Sequence, residues 1–86
     1  MLLLVFPLGC TAEIKEPSVA GAFYTAQKDI LKKMVDDFLS KAPKSNYSGK
    51  LIALIAPHAG YQFSGQIAAY SYKQFEGRDI RTVILI

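Results

Sequence analysis

Residues 51–65 read LIALIAPHAGYQFSG, an apolar run that leads into a loop rich in glycine and aromatic residues. Residues 51–56 are apolar throughout and do not alternate with polar residues, so both faces of this segment require burial. The pattern is typical of an interior strand of a parallel sheet, although a short buried helix would give the same run. Pro57 ends the strand, because proline lacks the N–H that a strand ladder needs.

A second apolar run, RTVILI at residues 81–86, is rich in β-branched residues and predicts another strand. Between the two runs, residues 65–76 predict a helix, with Ser64 as its N-cap and Gly77 as its C-terminal stop. Strand, helix and strand form a βαβ unit with a right-handed crossover, which places the chain in the α/β class with a parallel sheet. Both strands require neighbours on either side, so two strands and two helices make only part of such a sheet protein.

An amphipathic helix is predicted for residues 27–41, ahead of the first strand. Its apolar residues recur at the spacing of one helical stripe, and charged residues fill the opposite face. Thr25 is the predicted N-cap, and Pro43 ends the helix. The apolar stripe consists of Ile30, Leu31, Met34, Val35, Phe38 and Leu39.

The loop PHAGYQFSG, residues 57–65, carries the side chains that are suited to chemistry. It follows the carboxyl end of a predicted strand, where open α/β sheets bind their ligands. His58 is the candidate catalytic residue and metal ligand, and Gly60, Tyr61 and Ser64 are candidate binding residues beside it. Backbone N–H groups near Ser64, at the predicted helix start, are suited to holding an anion.

His58 is the only histidine of the chain, and its position alone leaves two interpretations open. One is a structural histidine that is hydrogen-bonded within a loop, and the other is a metal ligand or acid–base group. Zinc or non-haem iron needs about three or four protein ligands, so a metal role for His58 requires ligands from outside this chain. The single cysteine excludes an internal disulfide and a cysteine-based metal cluster.

The composition is that of a folded globular chain, with 51% hydrophobic residues, 20% charged residues and a net charge of +3. The cations are dispersed along the sequence, several of them beside aspartates, and they form no basic stripe. Nucleic-acid binding needs clustered cations and usually aromatic platforms or a recognisable module. No nucleic-acid partner is therefore expected.

Residues 1–12 form a separate segment of the sequence. Residues 2–8 are uncharged and apolar, and Gly9 and Cys10 follow, which resembles a signal peptide that ends at a lipoprotein processing site. Lipidation of Cys10 would anchor the protein to a membrane of the cell envelope, and without it a cytoplasmic protein is expected. A buried strand and a gene start placed too far downstream are the alternatives. The run is far shorter than the ~20 apolar residues of a spanning helix.

Four motifs together resemble the Memo family, whose prokaryotic members are called AmmeMemoRadiSam system protein B. They are PSVAGAFY at 17–24, DDFLSKA at 36–42, LIALIAPHAGYQFSGQIAAYSY at 51–72 and TVILI at 82–86. The resemblance covers residues 15–86, and the order and spacing of the VAG-FY and PHAGY-SG elements are specific. The chain departs from the family at Lys15 and Glu16, where arginine is common, and at Thr25, where proline usually follows the FY pair.

The resemblance implies a three-layer αβα fold with a parallel sheet, similar to class III extradiol dioxygenases, of which this chain holds a part. It also implies a pocket of two histidines, a further acidic residue or histidine, and a cysteine, which binds iron or copper. Only the first of these histidines has a counterpart in this chain, which is His58. The other pocket residues are expected beyond Ile86, and Cys10 is not the pocket cysteine.

The first functional hypothesis is a metal-linked, dioxygenase-like protein, of which residues 13–86 are the N-terminal and incomplete part. Since most of the ligands are missing, this chain alone is not expected to bind iron or copper tightly or to be active. The alternative is a non-catalytic protein that binds a peptide or small molecule through His58, Tyr61 and the helix N-terminus. A third hypothesis is an inert remnant. The substrate, the metal and the oligomeric state are left open.

Overall fold

The computed structural model describes residues 13–86. Helix α1 spans Lys28–Lys41 and helix α2 spans Tyr61–Tyr72, and one 3₁₀ turn, Lys73–Phe75, follows α2 directly. No β-strand is present within the described residues. The site loop therefore lies between a segment without regular structure and the first turn of α2.

The interpretations that concern residues 1–12 lie outside the part of the chain that the structure describes. They include the signal-peptide segment and Cys10 as the lipidation site. Among residues 13–86, no helix is both long and apolar enough to cross a membrane.

Helix α1 confirms the helix that the sequence predicts for residues 27–41. Two exposed ion pairs, Lys32–Asp36 and Asp37–Lys41, lie along its charged face. Exposed pairs at this spacing contribute only about 0.3–0.5 kcal/mol each, so packing against α2 is the main source of stability for α1.

The predicted N-cap of α1 is wrong. Gln27 occupies the N-cap position and makes no side-chain cap hydrogen bond. Thr25 acts before the helix instead, where its Oγ1 accepts a hydrogen bond from the Gln27 N–H at 3.2 Å. A hydroxyl two residues ahead of the cap thus orders the chain before the first turn.

Helix α2 begins at Tyr61, so the start of the helix predicted for residues 65–76 is wrong by four residues. Gly60 is the N-cap, whereas Ser64 lies within the helix and is buried. The physical reason is that a distant residue caps the helix, since the Tyr61 N–H donates a hydrogen bond to the carbonyl oxygen of Phe23 at 2.8 Å. No local sequence pattern reveals a cap of this kind.

The C-terminal end of α2 is extended by the 3₁₀ turn and then closed by Gly77. Gly77 has a φ of 77°, the left-handed conformation that glycine adopts at helix ends. The Arg78 N–H donates to the carbonyl oxygen of Phe75 at 3.1 Å across this turn. Gly77 is therefore the predicted stop, reached after the 3₁₀ turn rather than directly after α2.

The segment before the first apolar run is fastened to this end of α2 by side-chain hydrogen bonds. Gln74 Oε1 accepts from the Ser45 N–H at 2.9 Å, and Gln74 Nε2 donates to the carbonyl oxygen of Pro43 at 3.2 Å. Arg78 donates to the hydroxyl of Tyr47 at 2.8 Å and lies over its ring. These contacts fix the connection from α1 to the first apolar run.

The two helices pack most closely where Phe38 of α1 lies against Gly65 of α2. A Cβ added at Gly65 would lie 2.5 Å from Cε2 and 2.9 Å from Cζ of the Phe38 ring. The side-chain amide of Gln66 donates to the carbonyl oxygen of Phe38 at 3.0 Å beside this contact. Gly65 thus serves close helix approach, and Ala42 and Ala69 are the buried apolar residues among those described.

We expect Gly65→Ala to destabilise the full-length protein by about 1–3 kcal/mol, because the new methyl group displaces the Phe38 ring. This value already includes the roughly 1 kcal/mol by which alanine stabilises a helix relative to glycine. Urea unfolding checks this value. In Phe38→Leu, which removes the ring, the same Gly65→Ala change is expected to cost little. A wild-type stability for Gly65→Ala would contradict the packing.

The two predicted strands, residues 51–56 and 81–86, have no hydrogen-bonded partner strand among the described residues. Ile52 is 88% exposed, Ile55 is 94% exposed and Ile84 is 82% exposed. The parallel sheet therefore stays a prediction. The exposed fractions measure how much apolar surface these two runs leave uncovered.

Candidate functional site

His58 lies in the loop that joins the first apolar run to α2. Its side chain is exposed, and it makes no hydrogen bond to another described residue. The loop around it is closed from the helix side, since Ser64 Oγ donates to the carbonyl oxygen of Ala59 at 3.1 Å. The structure thus presents the imidazole outward on a loop whose backbone is fixed.

Three N–H groups in the first turn of α2 already have acceptors. The Tyr61 N–H donates to Phe23, and the N–H groups of Phe63 and Ser64 both donate to the carbonyl oxygen of Gly60, at 2.9 and 3.1 Å. Together with the helix start at Tyr61, these bonds leave the N–H of Ser64 unavailable to an anion. The Ser64 N–H, which was predicted to hold an anion, is instead bonded to the carbonyl oxygen of Gly60.

Residues 19–24, termed here the upstream corner, form a tight turn that carries Phe23 to the site loop. The Ala22 and Phe23 N–H groups both donate to the carbonyl oxygen of Val19, at 3.0 and 2.9 Å. Gly21 has a φ of 84°, a conformation that side-chain-bearing residues rarely adopt. An isolated bridge between Ala20 and Tyr24 completes the turn.

The upstream corner meets the site loop through a backbone and a side-chain contact. Besides the hydrogen bond from Tyr61 to Phe23, the rings of Tyr24 and Tyr61 lie 5.1 Å apart between centroids, at 39° to each other. This spacing is within the range of favourable aromatic pairs. The PSVAGAFY motif and the PHAGY motif, which are distant in sequence, thus form one contact.

The candidate site residues differ in solvent exposure and in whether their polar groups are already hydrogen-bonded. Gly60 is half-buried, and its carbonyl oxygen accepts two hydrogen bonds, while Tyr61 is half-buried with its ring against Tyr24. Ser64 is only 9% exposed, and its hydroxyl is bonded to the loop. His58 is the residue of this set that faces solvent. Phe23 and Tyr24 were missed as site residues, although the motif that contains them was the available signal.

A groove of about 190 Å³ lies between α1 and α2, beside the site loop. Its walls are mainly apolar, with Tyr61 and Ser64 at the end nearest the loop. His58 does not line it, so the described residues do not enclose the imidazole in a pocket. The lining residues are Val35, Phe38, Leu39, Ala59, Tyr61, Ser64, Gly65, Ala68, Ala69 and Tyr72.

The donor set decides whether a metal fits this site. Within residues 13–86, no group of three or more histidine, cysteine, aspartate or glutamate side chains is placed to hold a metal ion. A stable iron, copper or zinc site needs about three protein ligands. The described residues on their own therefore do not fit a metal, and His58 supplies a single donor.

These features define a protein in which one exposed histidine follows an apolar run and precedes a helix, and in which an upstream aromatic corner caps that helix. The family model for Memo-like protein matches residues 15–86. The chain belongs to the Memo-like family. No solved structure gave a significant match to the chain.

Relatives from archaea, animals and bacteria are similar to this chain. Ta0237, a MEMO1 family protein of Thermoplasma acidophilum, is 38% identical over 72 residues, which cover 84% of this chain and 26% of the relative. Protein MEMO1 of Xenopus tropicalis is 40% identical over 72 residues, covering 84% and 24%. A MEMO1 family protein of Aquifex aeolicus is 41% identical over 63 residues, covering 73% and 23%. The chain thus spans about a quarter of the length of these relatives.

Proposed function

We propose that this chain is the part of a Memo-like protein that supplies the first histidine of an iron- or copper-binding, dioxygenase-like pocket. The observation that carries the proposal is the exposed imidazole of His58 on a loop with a fixed backbone. An exposed histidine that makes no hydrogen bond to another described residue fits poorly with a structural role inside this loop. The remaining ligands are assigned to parts of the protein outside the described residues.

The proposed fold is a three-layer αβα sandwich in which residues 51–56 and 81–86 are neighbouring parallel strands. Support comes from their exposed apolar side chains, such as Ile55, because runs of exposed apolar residues normally pack against other elements. The order along the chain, with α2 between the two runs, is also the order of a βαβ unit, whose crossover is normally right-handed. In this arrangement His58 lies at the carboxyl edge of the sheet, where ligands bind.

A second candidate function is binding of a peptide or small molecule without turnover. It is favoured by the exposure of Phe63, which is 77% exposed and lies in the first turn of α2, shortly after His58. An exposed aromatic ring that is close in sequence to an exposed imidazole suits a ligand that has both apolar and acidic groups. In this case His58 acts as a hydrogen-bonding group rather than as a metal ligand.

The test is elemental analysis of the full-length protein, purified without chelators and dialysed against iron or copper. The metal proposal predicts a retained equivalent of metal in the wild type and little in His58→Ala. Equal metal contents in the two proteins would contradict ligation by His58. Retention of a peptide or small acid by metal-free protein, lost in His58→Ala, would instead support the binding function.

A further inference from the structure

The contact between the upstream corner and the site loop has no role in stabilising a helix interface. Phe23 is 46% exposed, so its ring is not a fully buried anchor of the loop. What the corner supplies is an acceptor, since the carbonyl oxygen of Phe23 takes the N–H of Tyr61, the first residue of α2. The bond therefore fixes the point at which the His58 loop turns into the helix.

We propose that Phe23 and Tyr24 are positioning residues that hold His58 in its functional orientation. The corner acts on the residues that follow His58, through the hydrogen bond to Tyr61 at 2.8 Å and the pairing of the Tyr24 and Tyr61 rings. Ser64 Oγ also donates to the carbonyl oxygen of Ala59, the residue directly after His58. The backbone that follows His58 is thereby held at two points, Ala59 and Tyr61.

The upstream corner lies directly against the backbone of the site loop at Gly60. An added Cβ at Gly60 would lie 3.6 Å from the carbonyl oxygen and 3.8 Å from the Cα of Phe23, which is ordinary van der Waals contact. The corner and the loop backbone are therefore direct neighbours, with no side chain between them. A change in the corner reaches the residues beside His58 through the backbone itself.

The corner also contains a position at which its conformation can be strained selectively. Gly21 has a φ of 84°, and a Cβ added there would meet no atom within 4 Å, so Gly21→Ala strains the turn without a steric clash. Gly49 has a φ of 110° and equally open surroundings, and it lies in the polar segment outside the corner. Gly49→Ala is therefore a matched control for backbone strain.

The inference rests on the proposed function, because that function gives His58 its role. Its test uses metal-free full-length protein, so the result does not depend on whether His58 binds a metal. Deuterium exchange of the peptide that covers residues 58–64 reports the Tyr61 hydrogen bond. We expect about tenfold faster exchange at Tyr61 in Tyr24→Leu and in Gly21→Ala, the range that loss of one net hydrogen bond allows. Tyr24→Phe, which keeps the ring, and Gly49→Ala are expected to exchange as the wild type does.

The second readout is the ¹³Cε1 signal of His58, assigned as the histidine signal that His58→Gln removes. We expect this signal to shift or broaden in Tyr24→Leu and Gly21→Ala, and to return to its wild-type position in Tyr24→Phe. Unchanged exchange or an unchanged His58 signal in both corner variants would overturn the inference. Equal effects of Gly49→Ala would also overturn it, because the corner would then have no specific role. If Tyr24→Leu fails to fold, the Gly21→Ala result decides.

Discussion

Ile55→Asp is expected to lower the free energy of unfolding of the full-length protein by at least about 4 kcal/mol, or to prevent folding. If residues 51–56 form an interior strand, the new carboxylate is buried on one face of a sheet without a partner. The described residues give no such penalty, because Ile55 is 94% exposed among them. The predicted loss therefore measures burial by the remainder of the protein, and chemical denaturation or loss of soluble expression records it.

Ile14→Asp is the matched control for this prediction. Ile14 is 83% exposed and lies outside both apolar runs and outside the family match. The same chemical change there is expected to alter stability by no more than about 0.5 kcal/mol. Similar tolerance of Ile14→Asp and Ile55→Asp would contradict the interior strand.

His58→Gln is expected to weaken binding of iron or copper to the full-length protein by about 100-fold or more. Removing a residue that only hydrogen-bonds to a metal ligand typically lowers metal affinity by about 10–100-fold. Removing a ligand itself is therefore expected to lower the affinity further. Glutamine keeps a polar side chain of similar reach, which separates ligation from general polarity. Competition with a chromophoric chelator measures the affinity.

Gln62→Ala serves as the control for the metal experiment. Gln62 is an exposed polar residue in the first turn of α2, close in sequence to His58 but assigned no ligand role. The metal affinity of this variant is expected to equal that of the wild type. A similar loss in both variants would attribute the effect to the loop as a whole and would contradict a specific ligand at position 58.

The sequence predicts α1 well, because its signal is local. An apolar stripe and a charged face, bounded by Pro43, define a helix wherever the chain lies, and the observed bounds are Lys28–Lys41. The N-cap was missed, since Thr25 bonds the Gln27 N–H ahead of the helix rather than within its first turn. Local chemistry thus identifies the element but not the detail of its end.

The start of α2 was not predictable from local signals, because its first N–H is capped by Phe23 from another part of the chain. Ser64 has the side chain of an N-cap, yet its hydroxyl bonds Ala59 from inside the helix. The same tertiary contact explains why Phe23 and Tyr24 were not identified as site residues. The motif that contains them was recognised, but its contact with the site loop depends on three-dimensional packing.

For the two apolar runs, residues 51–56 and 81–86, the pattern predicts strands whose hydrogen-bonding partners are absent from the described residues. A strand exists only through its neighbours, unlike a helix, which satisfies its own backbone. The sequence therefore indicates that these runs need burial without specifying what covers them. Family membership was also predicted, and the match over residues 15–86 confirms it.

Our central claim is that the two apolar runs, residues 51–56 and 81–86, are covered in the full-length protein by elements outside residues 13–86. A denaturant titration of residues 13–86, followed by circular dichroism and compared with the full-length protein, tests this directly. We predict a gradual, non-cooperative loss of helix in the short chain and a cooperative transition in the full-length protein. A sharp, cooperative transition in residues 13–86 alone would contradict the claim.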